Sequence, residues 1–293
     1  MQKIVPHLWF DKEAADAAKW YTQLFEDSKI FSISTIAGTP SGDAQTVDFQ
    51  LAGFRLMAIS AGPLFKLNPS VSFMVACGSK EEVNRLYGHL SVGGTELMPL
   101  DEYPFSKWFA WIQDQYGVNW QLMLTEPGEG ITRIRPTLLF SGAACGKAEE
   151  AVDDYVSIFS EAKKGFVNYY AEGEAMDSRA KINYCEFELM GIQFIAMDHG
   201  YGADFTFNEA FSLMIVCENQ QEIDHYWDKL SFVPEAEQCG WVKDAYGLSW
   251  QIVPAMLNEI MANGTKDEVS RVTQAFLKMK KLDIAAIEKA RLG

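Results

Sequence analysis

The apolar run "IVPHLWF" (residues 4–10), broken by a single histidine, reads as a strand with Val5, His7 and Trp9 on one face and Pro6, Leu8 and Phe10 on the other. Asp11 is placed to cap a helix whose Ala14, Ala18, Tyr21, Leu24 and Phe25 line one side. Segments of period two at Ile30–Ile36, Gln45–Leu51 and Phe54–Ser60 predict three more strands, with Gly53 at the tight turn between the last two. A strand over Val71–Ala76 opens a second round. Ser79-x-x-Glu82 then forms a capping box for a helix carrying Val83, Leu86, Tyr87 and Leu90, and three further strands end at Met123. The order is βαβββ, twice.

The same order recurs in the second half. "PHLWF" at Pro6 returns as "PTLLF" at Pro136, and "WYTQLFEDSK" returns as "DYVSIFSEAK". "DFQLAGFRLMAIS" returns as "EFELMGIQFIAMD", and "VSFMVACGSKEEVNRLYGHLS" as "FSLMIVCENQQEIDHYWDKLS". The pattern D-x-Y-G-[VL]-x-W-Q begins at Asp114 and again at Asp244. Only the segment "GGTELMPLDEYPFSK" has no counterpart in the second copy. The chain therefore reads as a duplicated domain with a seam near "TEPGEGITR": a first domain over residues 1–127 and a second over 132–254. Residues 255–293 form a helical extension. There "PAMLNEIMA" stops at Asn263-Gly264, Thr265-x-x-Glu268 caps a helix burying Val269, Val272 and Phe276, and Asp283 caps a third helix. Amphipathic helices of this kind are expected to clamp or pack rather than to catalyse.

Composition narrows the partners. A net charge of −15 disfavours nucleic acid and anionic membrane, and leaves cationic ligands open. No stretch is apolar enough to span a bilayer and the N-terminus lacks a signal-peptide pattern. The five cysteines are scattered without C-x-x-C spacing, which reads as reduced thiols in a cytoplasmic protein. Duplication within one chain makes a monomer feasible, and a homodimer stays open.

"PHLWFDKEAADAAKWY", the "FxLxG" hairpins, both "YGxxWQ" strands, "EQCGWVKDAYGLSWQIVP" and the closing "MKKLDIAAIEKA" together resemble the vicinal-oxygen-chelate superfamily of glyoxalases, bleomycin-resistance proteins and extradiol dioxygenases. Within it, the chain is similar to the PhnB-like group labelled 3-demethylubiquinone-9 3-methyltransferase. The resemblance implies an α+β fold of two tandem glyoxalase-like domains. In each, two βαβββ motifs form a cup-shaped, mostly antiparallel sheet, and the helical tail follows. Tandem copies of this fold often exchange halves, so one cup can mix strands from both copies.

The resemblance also implies where ligands would sit. Metal-using members place His, His and Glu on the first, fifth and eighth strands. Carried over, the positions are His7, Ser72 and Gln121 in one copy and Thr137, Ser212 and Gln251 in the other. With exchanged halves the sets become His7 with Ser212 and Gln251, and Thr137 with Ser72 and Gln121. Neither set supplies the charge-neutralising ligands that a divalent metal prefers. A metal, if held at all, would use His7 with Gln121 or Gln251, and no other cofactor is expected. Methyl transfer is disfavoured too, because "VGGTEL" and "GEGITR" are not strand-glycine-helix turns of a parallel sheet.

His7 is the foremost candidate for binding or chemistry, since its face points into a cup. Gln121 and Gln251 either offer an amide to a ligand or satisfy backbone at the sheet edge. Trp120 and Trp250 face the core. Trp9, Trp108, Trp111 and Trp241 are candidate aromatic walls, suited to a flat or cationic molecule. Cys239 is either a small buried residue or a thiol activated by Lys243. His89 and His225 read as surface residues, and His199 as a residue of a cup rim. The expected function is binding of a small organic molecule in a cup without metal. The alternatives are a metal-dependent lyase, isomerase or dioxygenase, and a protein-interaction module presenting the C-terminal helices.

Overall fold

The computed structural model describes residues 2–39, 42–125 and 133–293; the expected seam and the boundary at 127 and 132 fall at or beyond the described residues. The first copy folds as β1 (Ile4–Phe10), α1 (Ala14–Leu24), β2 (Lys29–Thr39), β3 (Gly42–Leu51) and β4 (Phe54–Ser60). It continues as β5 (Val71–Cys77), α2 (Lys80–Leu90), β6 (Thr95–Tyr103), β7 (Ser106–Gln113) and β8 (Asn119–Leu124). The second copy supplies β9 (Ile134–Phe140), α3 (Ala148–Ile158), β10 (Lys163–Tyr169), β11 (Ile182–Leu189) and β12 (Ile192–Asp198). Its last motif is β13 (Phe211–Cys217), α4 (Gln220–Leu230), β14 (Trp241–Lys243) and β15 (Ser249–Pro254). That motif has one strand fewer than expected. A short 3-10 turn at Pro234–Ala236 stands where the first copy's unmatched segment makes β6.

The exchanged arrangement is the one adopted. One sheet runs β14-β15-β13-β1-β4-β3-β2, and the other β10-β11-β12-β9-β5-β8-β7-β6. Each therefore joins the outer or inner motif of one copy to that of the other. The joins are antiparallel: β1 with β13, placing His7 opposite Ser212, and β5 with β9, placing Ser72 opposite Thr137. Parallel pairs flank the joins, and the remaining pairs are antiparallel.

The hairpins obey local rules. Between β3 and β4, Ala52 and Gly53 both take positive φ, as a tight two-residue turn demands. Asp11 does not cap α1. The helix begins three residues later, and its Ala14 N–H donates instead to Ser60 Oγ at the end of β4 (3.0 Å). Ser79 caps α2 by accepting from Glu82 N, but the box is only half made. The Glu82 carboxylate turns to Gly78 N and to the Arg133 guanidinium. The Thr265 box on α6 (Lys266–Phe276) is complete.

The helices pack on the sheet faces opposite the cups, where Trp120, Trp250, Tyr21, Tyr155 and Phe73 are buried in one continuous core. Two buried carboxylates tie this core together. Asp114 Oδ2 accepts from Tyr21 Oη (2.7 Å) and Trp120 Nε1 (2.8 Å), while its Oδ1 accepts from Tyr116 N and Val118 N. Asp244 repeats the arrangement with Tyr155, Trp250, Tyr246 and Leu248. Each carboxylate belongs to a turn of one sheet and accepts from a tyrosine on a helix of the other. This is what the twice-written motif encodes: Asp closes its own turn, Trp fills the core, and both meet a distant tyrosine.

The tail wraps one cup. α5 (Ala255–Asn263) leaves β15 directly, and α6 and α7 (Ile284–Leu292) follow. Leu257, Ile260, Val272 and Phe276 cover Val5, Met214 and Val253 on the cup face of the first sheet. Cys239 N and Gly240 N donate to Met279 O and Lys280 O, which pins the segment after α6. A Cβ at Gly240 would meet Ile252 O at 2.9 Å, so the close approach requires glycine.

Asp244→Ala or Asp114→Ala strands four donors, three of them in buried hydrogen bonds, and is expected to cost roughly 3 kcal/mol or more. Tyr155→Phe, which removes one donor, is expected to cost about 1 kcal/mol. Urea unfolding of the three variants checks the ranking. Equal losses for Asp244→Ala and Tyr155→Phe would show that the carboxylate does not organise the turn.

Candidate functional site

Strand alternation aims Val5, His7 and Trp9 of β1 away from the helices, and the same face of β13 and β15 carries Ser212, Met214, Gln251 and Val253. His7, Trp9, Met214, Gln251 and Val253, with Ala44 and Thr46 of β3 and Met57 and Ile59 of β4, line a cavity of about 490 Å³. Trp241 closes one side, and Leu257, Met261 and Phe276 of the tail close another. His7, Ser212 and Gln251 thus come together as the exchanged set. Gln251 Nε2 donates to Ser212 Oγ (2.9 Å), linking the parallel strands β13 and β15. The glutamine is structural in its N–H₂ and faces the cavity as well. Pairing His7 with Gln121 is ruled out, because Gln121 lies on the other sheet.

His7 is only 4% exposed and its ring stands edge-on to Trp241, with centroids 6.0 Å apart. Its Nδ1 is buried without a hydrogen-bond partner. Burial pushes the imidazole from its usual 6.5 down to about 4, so it is neutral at physiological pH. Most of the cavity wall is apolar, sulfur-bearing or aromatic, with Thr39, Thr46, Gln238, Gln251 and Asn258 as neutral polar lining residues and Glu209 and Glu235 as charged ones. Glu209 is paired with Lys243 (2.6 Å).

The other sheet holds the second set. Gln121 Nε2 donates to Ser72 Oγ (2.8 Å), and Thr137 lies opposite Ser72 with its hydroxyl fully buried and unpartnered. Arg135 stands where the first cup has Val5, opposite Met74 as Val5 is opposite Met214.

Several expectations are revised. Trp9 lines the first cup and donates Nε1 to Gly62 O (2.7 Å), and Trp241 lines it too. Trp108 does not. It faces α2, donating to Asn84 and lying under Lys80, because it is one residue out of phase with Trp111. Trp111 belongs to the second cup, paired with Gln121 across β7 and β8. Cys239 lines the first cup, but from the turn before β14, with a left-handed φ of 52°. Burial raises its thiol, and Lys243 is engaged by Glu209, so the activating cation is missing. His89 and His225 are exposed as expected. His199 follows β12, accepts from Tyr201 N and contacts Phe205, and is not among the residues lining the cavity. Phe65, Met261 and Phe276 complete the first cup; of these only Phe276 was expected to be buried, and as a helix-packing residue rather than a cup wall. Their contribution depends on where a loop and the tail fold back, which no periodicity reports.

Paired βαβββ motifs curled around cups, with exchanged halves, define the vicinal-oxygen-chelate fold. Comparison of structures agrees: glyoxalase I from Zea mays is 11% identical over a match covering 88% of this chain and 96% of that one, with a TM-score of 0.55. The sequence profile of the family described as 3-demethylubiquinone-9 3-methyltransferase matches residues 2–123 and again 132–253, and the chain belongs to that family, in two tandem copies. A PhnB protein from Bacillus cereus is 39% identical over 42% of this chain and 100% of that one, with a TM-score of 0.40. A Staphylococcus aureus protein is 35% identical over 43% of this chain and 98% of that one, with a TM-score of 0.19. A search of curated proteins gives no match. Among the described residues no helix is long and apolar enough to cross a membrane.

The buried neutral imidazole makes a pH prediction. The unfolded chain takes up a proton at His7 near pH 6.5, and the folded chain only near 4, so stability is full above 6.5 and falls as pH drops through that window. The wild type is expected to lose about 3 kcal/mol more than His7→Leu across that window, at about 1.4 kcal/mol for each pH unit separating the two titrations. Parallel urea midpoints for the two proteins would show that His7 is not buried in its neutral form.

Proposed function

We propose that the chain binds a small, mainly apolar organic molecule in the His7 cup, without a metal ion. The observation that carries this reading is a large apolar cavity containing one neutral, buried imidazole with an unpartnered Nδ1. Its volume falls in the range of small-molecule sites, and apolar side chains predominate among the residues lining it. His7 and the Gln251 amide would orient the ligand, and Trp9 and Trp241 would flank its flat surface. Glu235 among the lining residues, with Glu209 already neutralised by Lys243, favours a neutral or cationic molecule over an anion.

The donor set does not fit a divalent metal. One imidazole, one hydroxyl already accepting a hydrogen bond and one amide provide no negative charge and no third strong ligand. Among the described residues no group of three His, Cys, Asp or Glu side chains is placed to hold an ion. The methyl transfer in the family's description is not part of this reading. The "VGG" turn leads from α2 into the antiparallel edge strand β6, so it does not form a strand-to-helix nucleotide cradle.

Titration with the neutral fluorophore N-phenyl-1-naphthylamine tests the reading. Saturable enhancement is expected, weakened at least tenfold by Thr46→Trp, which fills the cup. Absence of saturable binding, or binding indifferent to Thr46→Trp, would refute it.

A further inference from the structure

The His7 cup changes character between its floor and its mouth. His7 (4% exposed), Met214 (2%) and Gln251 (8%) lie deep in it, whereas Leu64 (71%) and Glu235 are exposed and still line it. The cavity therefore meets solvent past an apolar side chain and a carboxylate. Glu235 sits on the 3-10 turn Pro234–Ala236, and the chain continues from there into the cup wall through Gln238, Cys239 and Trp241.

The charges on this wall are of one sign. Among the described residues lining the cavity two are acidic, and none is lysine or arginine. Glu209 is held by Lys243 (2.6 Å), a pair without net charge. Glu235 enters no ion pair among the described residues, so the lining carries one uncompensated negative charge. His7 does not offset it, because the buried imidazole is neutral at physiological pH. The imidazole is also an independent sign of a ligand, since its Nδ1 is buried and unpartnered on the wall of the same cavity. Four aromatic side chains share that cavity, Trp9, Phe65, Trp241 and Phe276, and the face of tryptophan attracts a cation more strongly than other rings. Trp9 N donates to Ala210 O (2.8 Å), which sets Trp9 beside the segment carrying Glu209, and its ring meets Phe65 edge to face with centroids 5.2 Å apart.

Resting on the reading of this cup as a small-molecule site, we propose that its ligand is an amphipathic organic cation of single charge, an ammonium carried on an apolar or aromatic body. The body fills the floor around Met214 and Val253. The ammonium stays at the mouth beside Glu235, where water continues to hydrate it. This orientation avoids the cost of carrying a charge into the apolar floor. An anion of the same shape would meet the carboxylate and find no ammonium or guanidinium on the described lining to pair with.

Displacement of N-phenyl-1-naphthylamine from the full chain tests the proposal with two competitors of matched shape and opposite charge, phenyltrimethylammonium and benzenesulfonate. Phenyltrimethylammonium is expected to compete about tenfold more strongly, and the difference should shrink as salt is added, because the carboxylate is exposed. The ratio of phenyltrimethylammonium affinity to dye affinity is expected to fall about tenfold in Glu235→Lys, since reversing the charge removes an attraction and adds a repulsion. Damage to the fold would lower both affinities together and leave their ratio in place. Equal competition by the two ions, or a ratio unmoved by Glu235→Lys, would overturn the proposal while dye binding upholds the cup. Absence of saturable dye binding in the wild type would refute the reading of the cup, and this proposal with it.

Discussion

Everything in this molecule depends on two antiparallel contacts between strands from opposite copies, β1 with β13 and β5 with β9. Each copy alone would hold two half-sheets. Only the cross-pairing completes a curved sheet and sets residues of one copy opposite residues of the other. The pairing is strongly specified because a slip of one residue would turn the cup face into the core. His7 would exchange places with Leu8, and a buried imidazole would meet Trp120 and the helices.

The buried carboxylates make the same arrangement rigid. Tyr21 and Asp114 lie in motifs that feed different sheets, as do Tyr155 and Asp244. Their hydrogen bonds therefore fix the two sheets relative to each other, deep in a core where unpaired polar groups are costly. Reciprocal loop contacts repeat the symmetry outside the core: Asn68 donates to Thr206 O, and Asn208 to Lys66 O. A duplicated chain thus keeps a twofold frame while its two cups diverge, one carrying His7 and the other an Arg135 paired with Glu186.

Much of the fold was legible because it rests on local periodicity. The strands around His7, Gly53 and Gln251 and the helices capped by Ser79, Thr265 and Asp283 follow from spacing and caps. Asp11 was misleading because a serine from another strand satisfies the helix start, a contact spanning 46 residues of sequence. The candidate site was half legible. The family resemblance marked His7, Ser212 and Gln251 as site positions, but the choice between exchanged and unexchanged sets is made by strand pairing, which the sequence pattern does not encode. Trp108 and Trp111 look alike in sequence yet serve opposite faces. Phe276 reaches the cup only because the tail folds back across it. Arg135 gave no signal, since a single arginine in an apolar strand looks like an edge residue until β5 and β12 close on both sides of it.

Exchanged halves build a cup in which His7, the one imidazole among the described lining residues, is proposed to bind an organic molecule rather than a metal ion. The most direct measurement is elemental analysis joined to native mass spectrometry on untagged protein purified without chelators. Substoichiometric divalent metal, and a chain able to carry the mass of a small organic ligand, are expected. One equivalent of divalent metal per chain, lost in His7→Ala, would contradict the proposal.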